Sequence, residues 1–258
     1  MGSMPDLLES ARKCRQAGDL VRAEQLCRQV LQADPAQAHA WLLLGEVCEG
    51  LGRRDEAVAC YRQALGLRPT SAALCTSIGV ALAQLGKVEE GKLAFHEAIR
   101  LEPGYAQAHH NLGVALAQQS CHQEAVNHFR EALRLKPDYA EACYNLGNAL
   151  GQMRRADEAV VCYRDAVQRR PNYADALNNL GLALTERGQP GEASVLLRQA
   201  VRLRPDFVEG HNNLGLALAD LGLQRRTLRV PVSTIRTTQL SVVQRLYKAQ
   251  ITPIASLA

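Results

Sequence analysis

Four asparagines stand at equal spacing along the chain, and their side chains suit contact with a partner. Each precedes a Leu-Gly pair, in the segments AHHNLGVA, ACYNLGNA, ALNNLGLA and GHNNLGLA, and each follows the last by 34 residues. An amide offers one acceptor and two donors, which matches the C=O and N–H of a peptide bond. These residues are Asn111, Asn145, Asn179 and Asn213.

The asparagines lie in segments that otherwise read as helix, where each is less favourable than Ala by roughly 0.5–0.7 kcal/mol. Such a cost, repeated in register, indicates a function for the row. We expect the amides to hold an extended peptide by its backbone, in a concave groove. Ser77 continues the row towards the N-terminus. The residues that precede the asparagines complete the candidate site: His110, Tyr144, Asn178 and Asn212. The alternative is that each amide only bridges to the neighbouring repeat.

Prolines set the period of the elements that must position these amides. Six of them recur every 34 residues, at Pro35, Pro69, Pro103, Pro137, Pro171 and Pro205. Between them recur small residues, a bulky residue and a glycine in the middle of the repeat. Proline ends a helix because it lacks an N–H and disfavours the α region for its predecessor. The small residues allow two helices to approach closely. Each repeat is therefore predicted to contain two antiparallel helices.

The segment 40–69, AWLLLGEVCEGLGRRDEAVACYRQALGLRP, resembles the tetratricopeptide repeat (TPR) almost column by column. The resemblance implies an all-α fold, a right-handed superhelical solenoid of stacked antiparallel helix pairs. Residues 1–3 are interpreted as an expression remnant, and the array as residues 4–222. Its predicted repeats are 4–37, 38–71, 72–105, 106–139, 140–173 and 174–207, followed by the first helix of a seventh at 208–222.

Within that family, the NLG first helices look most like the repeat region of O-linked N-acetylglucosamine transferases. The resemblance implies that an asparagine ladder binds the backbones of substrate peptides. Two functions follow from it. The chain is either a non-catalytic scaffold for a protein or an extended peptide, or a repeat-region fragment of a larger transferase-like enzyme without its catalytic domain.

Residues 223–258 depart from the period and contain six Arg or Lys and no acid. Three interpretations stay open. The segment is a non-native sequence that follows a truncated array, a divergent cap for the last helix, or a basic arm for nucleic acid or anionic lipid. Helix is expected to resume near 238–251, where apolar residues share a face. Self-association through this segment is a further expectation.

Other classes of function find little support in the sequence. It has no P-loop, G-x-S-x-G, H-E-x-x-H or dinucleotide fingerprint, so we expect no catalytic residue, cofactor or metal. Nucleic acid binding by the repeats is not expected, since the aromatic residues occupy packing columns. No apolar run is long enough to span a membrane. Eight cysteines, none in a C-x-x-C pair, indicate a reducing, cytoplasmic setting.

Overall fold

The structure, a computed structural model, describes residues 4–229, with side chains up to residue 222. These residues form thirteen α-helices and no strand, which confirms the predicted all-α repeat solenoid. In chain order they are α1 (Met4–Gln16), α2 (Leu20–Ala33), α3 (Ala38–Gly50), α4 (Arg54–Gly66), α5 (Ala72–Gln84), α6 (Val88–Leu101), α7 (Ala106–Gln118), α8 (His122–Leu135), α9 (Ala140–Gln152), α10 (Ala156–Arg169), α11 (Ala174–Glu186), α12 (Pro190–Leu203) and α13 (Val208–Arg229).

The chain divides between Pro171 and Asn172 into two compact units. The first unit contains α1–α10 as five helix pairs, one for each 34-residue repeat. Within it each first helix packs on its own second helix and also contacts the first helix of the next pair. The second unit contains α11–α13, in which α11 and α12 form a pair and α13 contacts both. In each unit, first helices therefore lie side by side.

The turn inside each pair closes the first helix in the same way. A backbone carbonyl in the last turn of the first helix accepts a hydrogen bond from the N–H five residues later, as in the 2.9 Å bond from the Lys87 N–H to the Leu82 carbonyl. The residue before the donor has positive φ, which favours glycine. Glycine fills that position in four pairs, as at Gly86 (φ 78°), whereas Ser120 (φ 62°) and Arg154 (φ 57°) adopt it without glycine.

The 34-residue prolines follow the ends of the second helices. Glu102, which precedes Pro103, is extended at φ −139° and ψ 90°, and its N–H donates to the carbonyl of Ala98. This is the conformation that a following proline enforces. The pair α3–α4 differs, because α4 ends at Gly66 and Arg68 takes φ 49° before its proline.

The glycine of the first helix and the bulky residue of the second helix pack on each other within one pair. A Cβ added to Gly113 would lie 2.7 Å from the ring of Phe129, and one added to Gly147 would lie 2.6 Å from Tyr163. Phe129 is fully buried. The missing Cβ therefore lets an aromatic ring fill the space between two close helices, which fixes the height of the first helix and of the asparagine it carries.

The helix that begins at Val208 continues to Arg229, past the array boundary expected at residue 222. The helix predicted near 238–251 and the proposed self-association of the basic segment lie outside the described residues. Among the described residues, no helix is both long and apolar enough to cross a membrane. All eight cysteines are free thiols, and five of them are buried, which suits packing positions.

Candidate functional site

The asparagine row begins on α7, beside the residues that anchor that helix. Leu112 and Gly113, which follow Asn111, are both buried, with Gly113 against Phe129. Asn111 lies on the adjacent face and is only partly buried. Asn145 has the corresponding position on α9, where Leu146 and Gly147 are buried. The packing of the Leu-Gly pair thus sets the direction in which the amides of Asn111 and Asn145 point.

His110 links the two asparagines of the first unit. The Nδ2 atom of Asn145 lies 2.9 Å from Nε2 of His110 in the preceding repeat. Nδ1 of His110 lies 3.2 Å from Oδ1 of Asn111. Because the Asn145 amide nitrogen can only donate and the Asn111 oxygen can only accept, the proton of the neutral ring belongs on Nδ1. The two amides are therefore joined through one imidazole.

Tyr139 completes this network from the loop before α9. Its hydroxyl lies 3.2 Å from Nδ1 of His110, and the two ring centroids are 4.8 Å apart. Burial lowers the pKa of His110, against smaller opposing effects of the hydrogen bond with Asn111 and the charge of Glu141. The imidazole is therefore held neutral near pH 7, the state that the hydrogen bond from Asn145 requires.

The second unit repeats the arrangement with asparagine in place of histidine. Asn213 on α13 donates from Nδ2 to Oδ1 of Asn178 on α11, at 2.9 Å. Asn178 in turn donates from Nδ2 to Oδ1 of Asn179, at 3.2 Å. Asn178 is only 3% exposed, whereas Asn179 and Asn213 are partly exposed. The residue that precedes a row asparagine again connects two row positions of adjacent first helices.

The remaining predicted site residues do not join these two networks through a described bond. Ser77 is exposed on α5, and its hydroxyl donates to the carbonyl of Ala73 at 3.0 Å. Tyr144 is half-buried, with its ring centroid 6.1 Å from that of Tyr163. Asn212 is exposed on α13. The candidate site is thus compact around His110 and Asn178 and sparser elsewhere.

An open cavity of about 410 Å³ adjoins Asn145 in the first unit. Gln118, Asn148 and Gln152 line it, and Phe129 contributes to its apolar floor. The hydroxyl of Tyr163 donates to Oδ1 of Asn148 at 2.9 Å and so holds that amide in place. Space beside the asparagine can therefore accommodate a side chain of a bound peptide.

Sequence reasoning missed two contributors to the site, Tyr139 and Asn148, and the hydrogen bonds of one packing residue, His109. Tyr139 reads as a packing residue two positions after a proline, yet it contacts His110. Asn148 lies three residues after Asn145, the spacing of neighbours on one helix face, which was the available signal. His109 is buried as expected for packing, but it also hydrogen-bonds: Nε2 lies 3.2 Å from the carbonyl of Pro103, and Nδ1 lies 3.2 Å from Nδ1 of His128.

The described residues contain no group of three or more His, Cys, Asp or Glu side chains that could hold a metal ion. Burial raises the pKa of several thiols, to about 12 in Cys27 and Cys60 and to about 11 in Cys162. Such thiols stay protonated at neutral pH and are poor nucleophiles.

Sequence comparison assigns most of the array to one repeat family. General tetratricopeptide-repeat models match residues 122–153 and 181–222, residues 140–173, and residues 162–193. Residues 7–122 match the middle TPR-like domain of cilia and flagella-associated protein 70. No curated protein sequence matches the chain. The closer resemblance to O-linked N-acetylglucosamine transferases stays a prediction.

Solved structures show the same fold. PilW, a type IV pilus biogenesis factor, has a TM-score of 0.69 at 24% identity, over 82% of this chain and 98% of its own. MamA has a TM-score of 0.57 at 25% identity, over 66% of this chain and 93% of its own. The Cut9–Hcn1 hetero-tetramer of APC/C has a TM-score of 0.64 at 21% identity, over 82% of this chain. The match spans only 42% of that chain.

Proposed function

Because the chain is a tetratricopeptide-repeat protein with the fold of a protein-interaction scaffold, we propose that it binds an extended peptide of a partner protein by its backbone, through its asparagine amides. The observation that carries this proposal is a partly exposed asparagine that recurs at a constant 34-residue spacing on four first helices, α7, α9, α11 and α13. The proposal applies to each unit on its own: Asn111 and Asn145 act in the first, and Asn179 and Asn213 in the second.

Spare hydrogen-bonding capacity supports a role beyond bridging. Asn145 uses one N–H on His110, so a second N–H and Oδ1 remain for a ligand. Asn213 likewise uses one N–H on Asn178. A donor and an acceptor on one amide can meet the C=O and N–H of a peptide backbone, whatever its side chains. Recognition by these groups tolerates many peptide sequences.

The bridging bonds also prepare the amides for binding. An Asn side chain that is free to rotate loses conformational entropy when a ligand fixes it, at about 0.5–1.5 kcal/mol for an immobilised side chain. His110 and Asn178 hold the amides before the ligand arrives. The bridge between repeats and the binding of peptide are therefore compatible roles of one side chain.

The spacing of the helices fits an extended ligand. Helices in contact lie about 8–10 Å apart, and an extended peptide advances about 3.3 Å per residue. Asparagines on adjacent first helices are thus expected to meet the peptide at about every third residue. Intervening side chains are free to enter spaces such as the cavity beside Asn145.

The free thiols favour a reducing cellular compartment for the protein. All eight cysteines are unpaired, and most are buried in the helical packing. Oxidation of such a set would disrupt the packing around them. We place the scaffold in a reducing compartment such as the cytoplasm.

Binding of an unstructured 12-residue peptide pool, followed by fluorescence anisotropy, tests the proposal. The variant with Asn111, Asn145, Asn179 and Asn213 all changed to Ala is expected to bind at least tenfold more weakly than the wild type. Asn127 and Asn172, both exposed and off the first helices, provide the control when changed to Ala. Equal binding by wild type and quadruple variant, with unchanged circular dichroism, would reject the site. Absence of binding by the wild type would reject the function.

A further inference from the structure

A second open groove, of about 650 Å³, lies on the N-terminal part of the first unit. Helices α3 and α5 contribute most of its walls, and α7 contributes Gln107. Ser77, which continues the asparagine row, lines it together with Gln84 and Gln107. A peptide whose backbone lies along Ser77 and Asn111 would therefore run past this groove.

Two carboxylates of α3 give the groove a chemical preference. Glu46 and Glu49 both line it, and they lie three positions apart, so they are neighbours on one helix face. Arg15 lies 3.3 Å from Oε2 of Glu46 through Nε, and the hydroxyl of Tyr61 donates to Oε1 of Glu49. The contact with Arg15 is an ion pair without a hydrogen bond, so among the described residues both oxygens of Glu46 and Oε2 of Glu49 remain available as hydrogen-bond acceptors.

We infer that this groove binds an arginine side chain of the extended peptide, with Glu46 and Glu49 as the acceptors of its guanidinium; the inference rests on the proposed function. A guanidinium carries five N–H donors in a planar fork and can bond both carboxylates at once, whereas an ammonium is a compact point charge. Among the described residues that line the groove, Arg15 is the only cation, and with Glu46 and Glu49 it gives them a net charge of −1. A second guanidinium would neutralise that charge.

The environment of the two carboxylates favours such a ligand. Burial raises the pKa of Glu46, although the charges of Arg15 and Arg12 oppose this. A carboxylate that is partly desolvated and incompletely paired gains more from a cation than a fully solvated one does. Glu49 is fixed by Tyr61, so its free oxygen keeps one orientation. The polar wall residues Gln84 and Gln107 can accept the remaining N–H groups of the ligand.

Two peptide pools test the inference. Both are 11-residue pools of Ala, Gly, Ser, Thr and Gln with a fixed central residue, which is arginine in one pool and the neutral isostere citrulline in the other. We expect the wild-type chain to bind the arginine pool about tenfold more tightly, as a charge-assisted bidentate bond warrants. The double variant Glu46→Gln, Glu49→Gln should lose that preference and keep its affinity for the citrulline pool.

A matched control separates a specific site from general charge. The double variant Glu90→Gln, Glu97→Gln makes the same charge change on the second helix α6 and should keep the tenfold preference. If the double groove variant does not fold, Glu46→Gln alone serves, with a preference reduced at least threefold. Equal binding of both pools by the wild type, or a preference that survives the groove variants, would overturn the inference and leave the proposed function standing. Binding of neither pool would overturn both.

Discussion

The side-chain amide of Asn213 on α13 donates to the amide oxygen of Asn178 on α11, at 2.9 Å. Asn178 is almost completely buried, at a position that Thr76, His110 and Tyr144 occupy in the three preceding repeats. A buried polar side chain of this kind needs its partners, because an unsatisfied donor or acceptor costs about 1–3 kcal/mol. The row of asparagines is therefore tied to the stability of the stack.

Replacement of the buried linker should destabilise the second unit. Asn178→Ala removes the acceptor of Asn213 and the donor of Asn179, so we expect the free energy of unfolding to fall by about 1–3 kcal/mol. Urea unfolding followed by circular dichroism measures it. Asn212→Ala, at an exposed position on α13, is the control and should change stability by less than about 0.5 kcal/mol. Equal effects of the two substitutions would contradict the linking role of Asn178.

The two turns without glycine offer a stabilising change. Ser120 and Arg154 hold positive φ, which costs an L-residue about 1–2 kcal/mol, whereas glycine adopts it freely at some entropic cost in the unfolded chain. Ser120→Gly and Arg154→Gly are expected to raise the free energy of unfolding by about 0.5–1 kcal/mol each. The reverse change, Gly86→Ala, should lower it. Thermal unfolding would refute this account if all three variants shifted the midpoint in the same direction.

A methyl group on the glycine of a first helix should disturb the helix pair. In Gly113→Ala the new Cβ would meet the Phe129 ring at 2.7 Å, so the helices must move apart, at a cost of about 1–3 kcal/mol. Gly191→Ala is the control, because the added Cβ would meet no atom of another element within 4 Å, and it should be neutral or slightly stabilising. Chemical denaturation compares them; a smaller effect at Gly113 than at Gly191 would contradict the packing described.

Acid should weaken the first unit through His110. Burial lowers its pKa in the folded chain, so between that pKa and the unfolded value near 6.5 the unfolded state binds more protons. The contribution of His110 to the free energy of unfolding is complete above about pH 6.5 and is lost as the pH falls towards the lowered pKa of the folded chain. Protonation gives the imidazole a second N–H, at Nε2, which then faces the N–H of Asn145 and removes the acceptor of that hydrogen bond. Stability measured from pH 7.5 to 5 should fall more steeply for the wild type than for His110→Gln; parallel curves would refute the prediction.

Much of the architecture was predictable from the sequence because the same packing positions recur every 34 residues. Each recurring position has one structural role. Gly113 leaves room for the Phe129 ring, for example, and Pro103 follows the end of α6. The residue types at these positions therefore identified the helices. The links within the site were not predictable. The bond from Asn145 to His110 joins residues 35 apart, and it depends on the height and rotation of two neighbouring helices. The Tyr139 contact depends on the same geometry.

The central claim, that asparagine amides read a peptide backbone, is tested most directly by changing the backbone alone. An unstructured 12-residue peptide pool is compared with the same pool N-methylated at alternate residues, which removes N–H donors and leaves the side chains in place. The account predicts that the wild type binds the unmodified pool about tenfold more tightly, and that the quadruple Asn→Ala variant at 111, 145, 179 and 213 shows no such preference. An equal preference in the two proteins would contradict it.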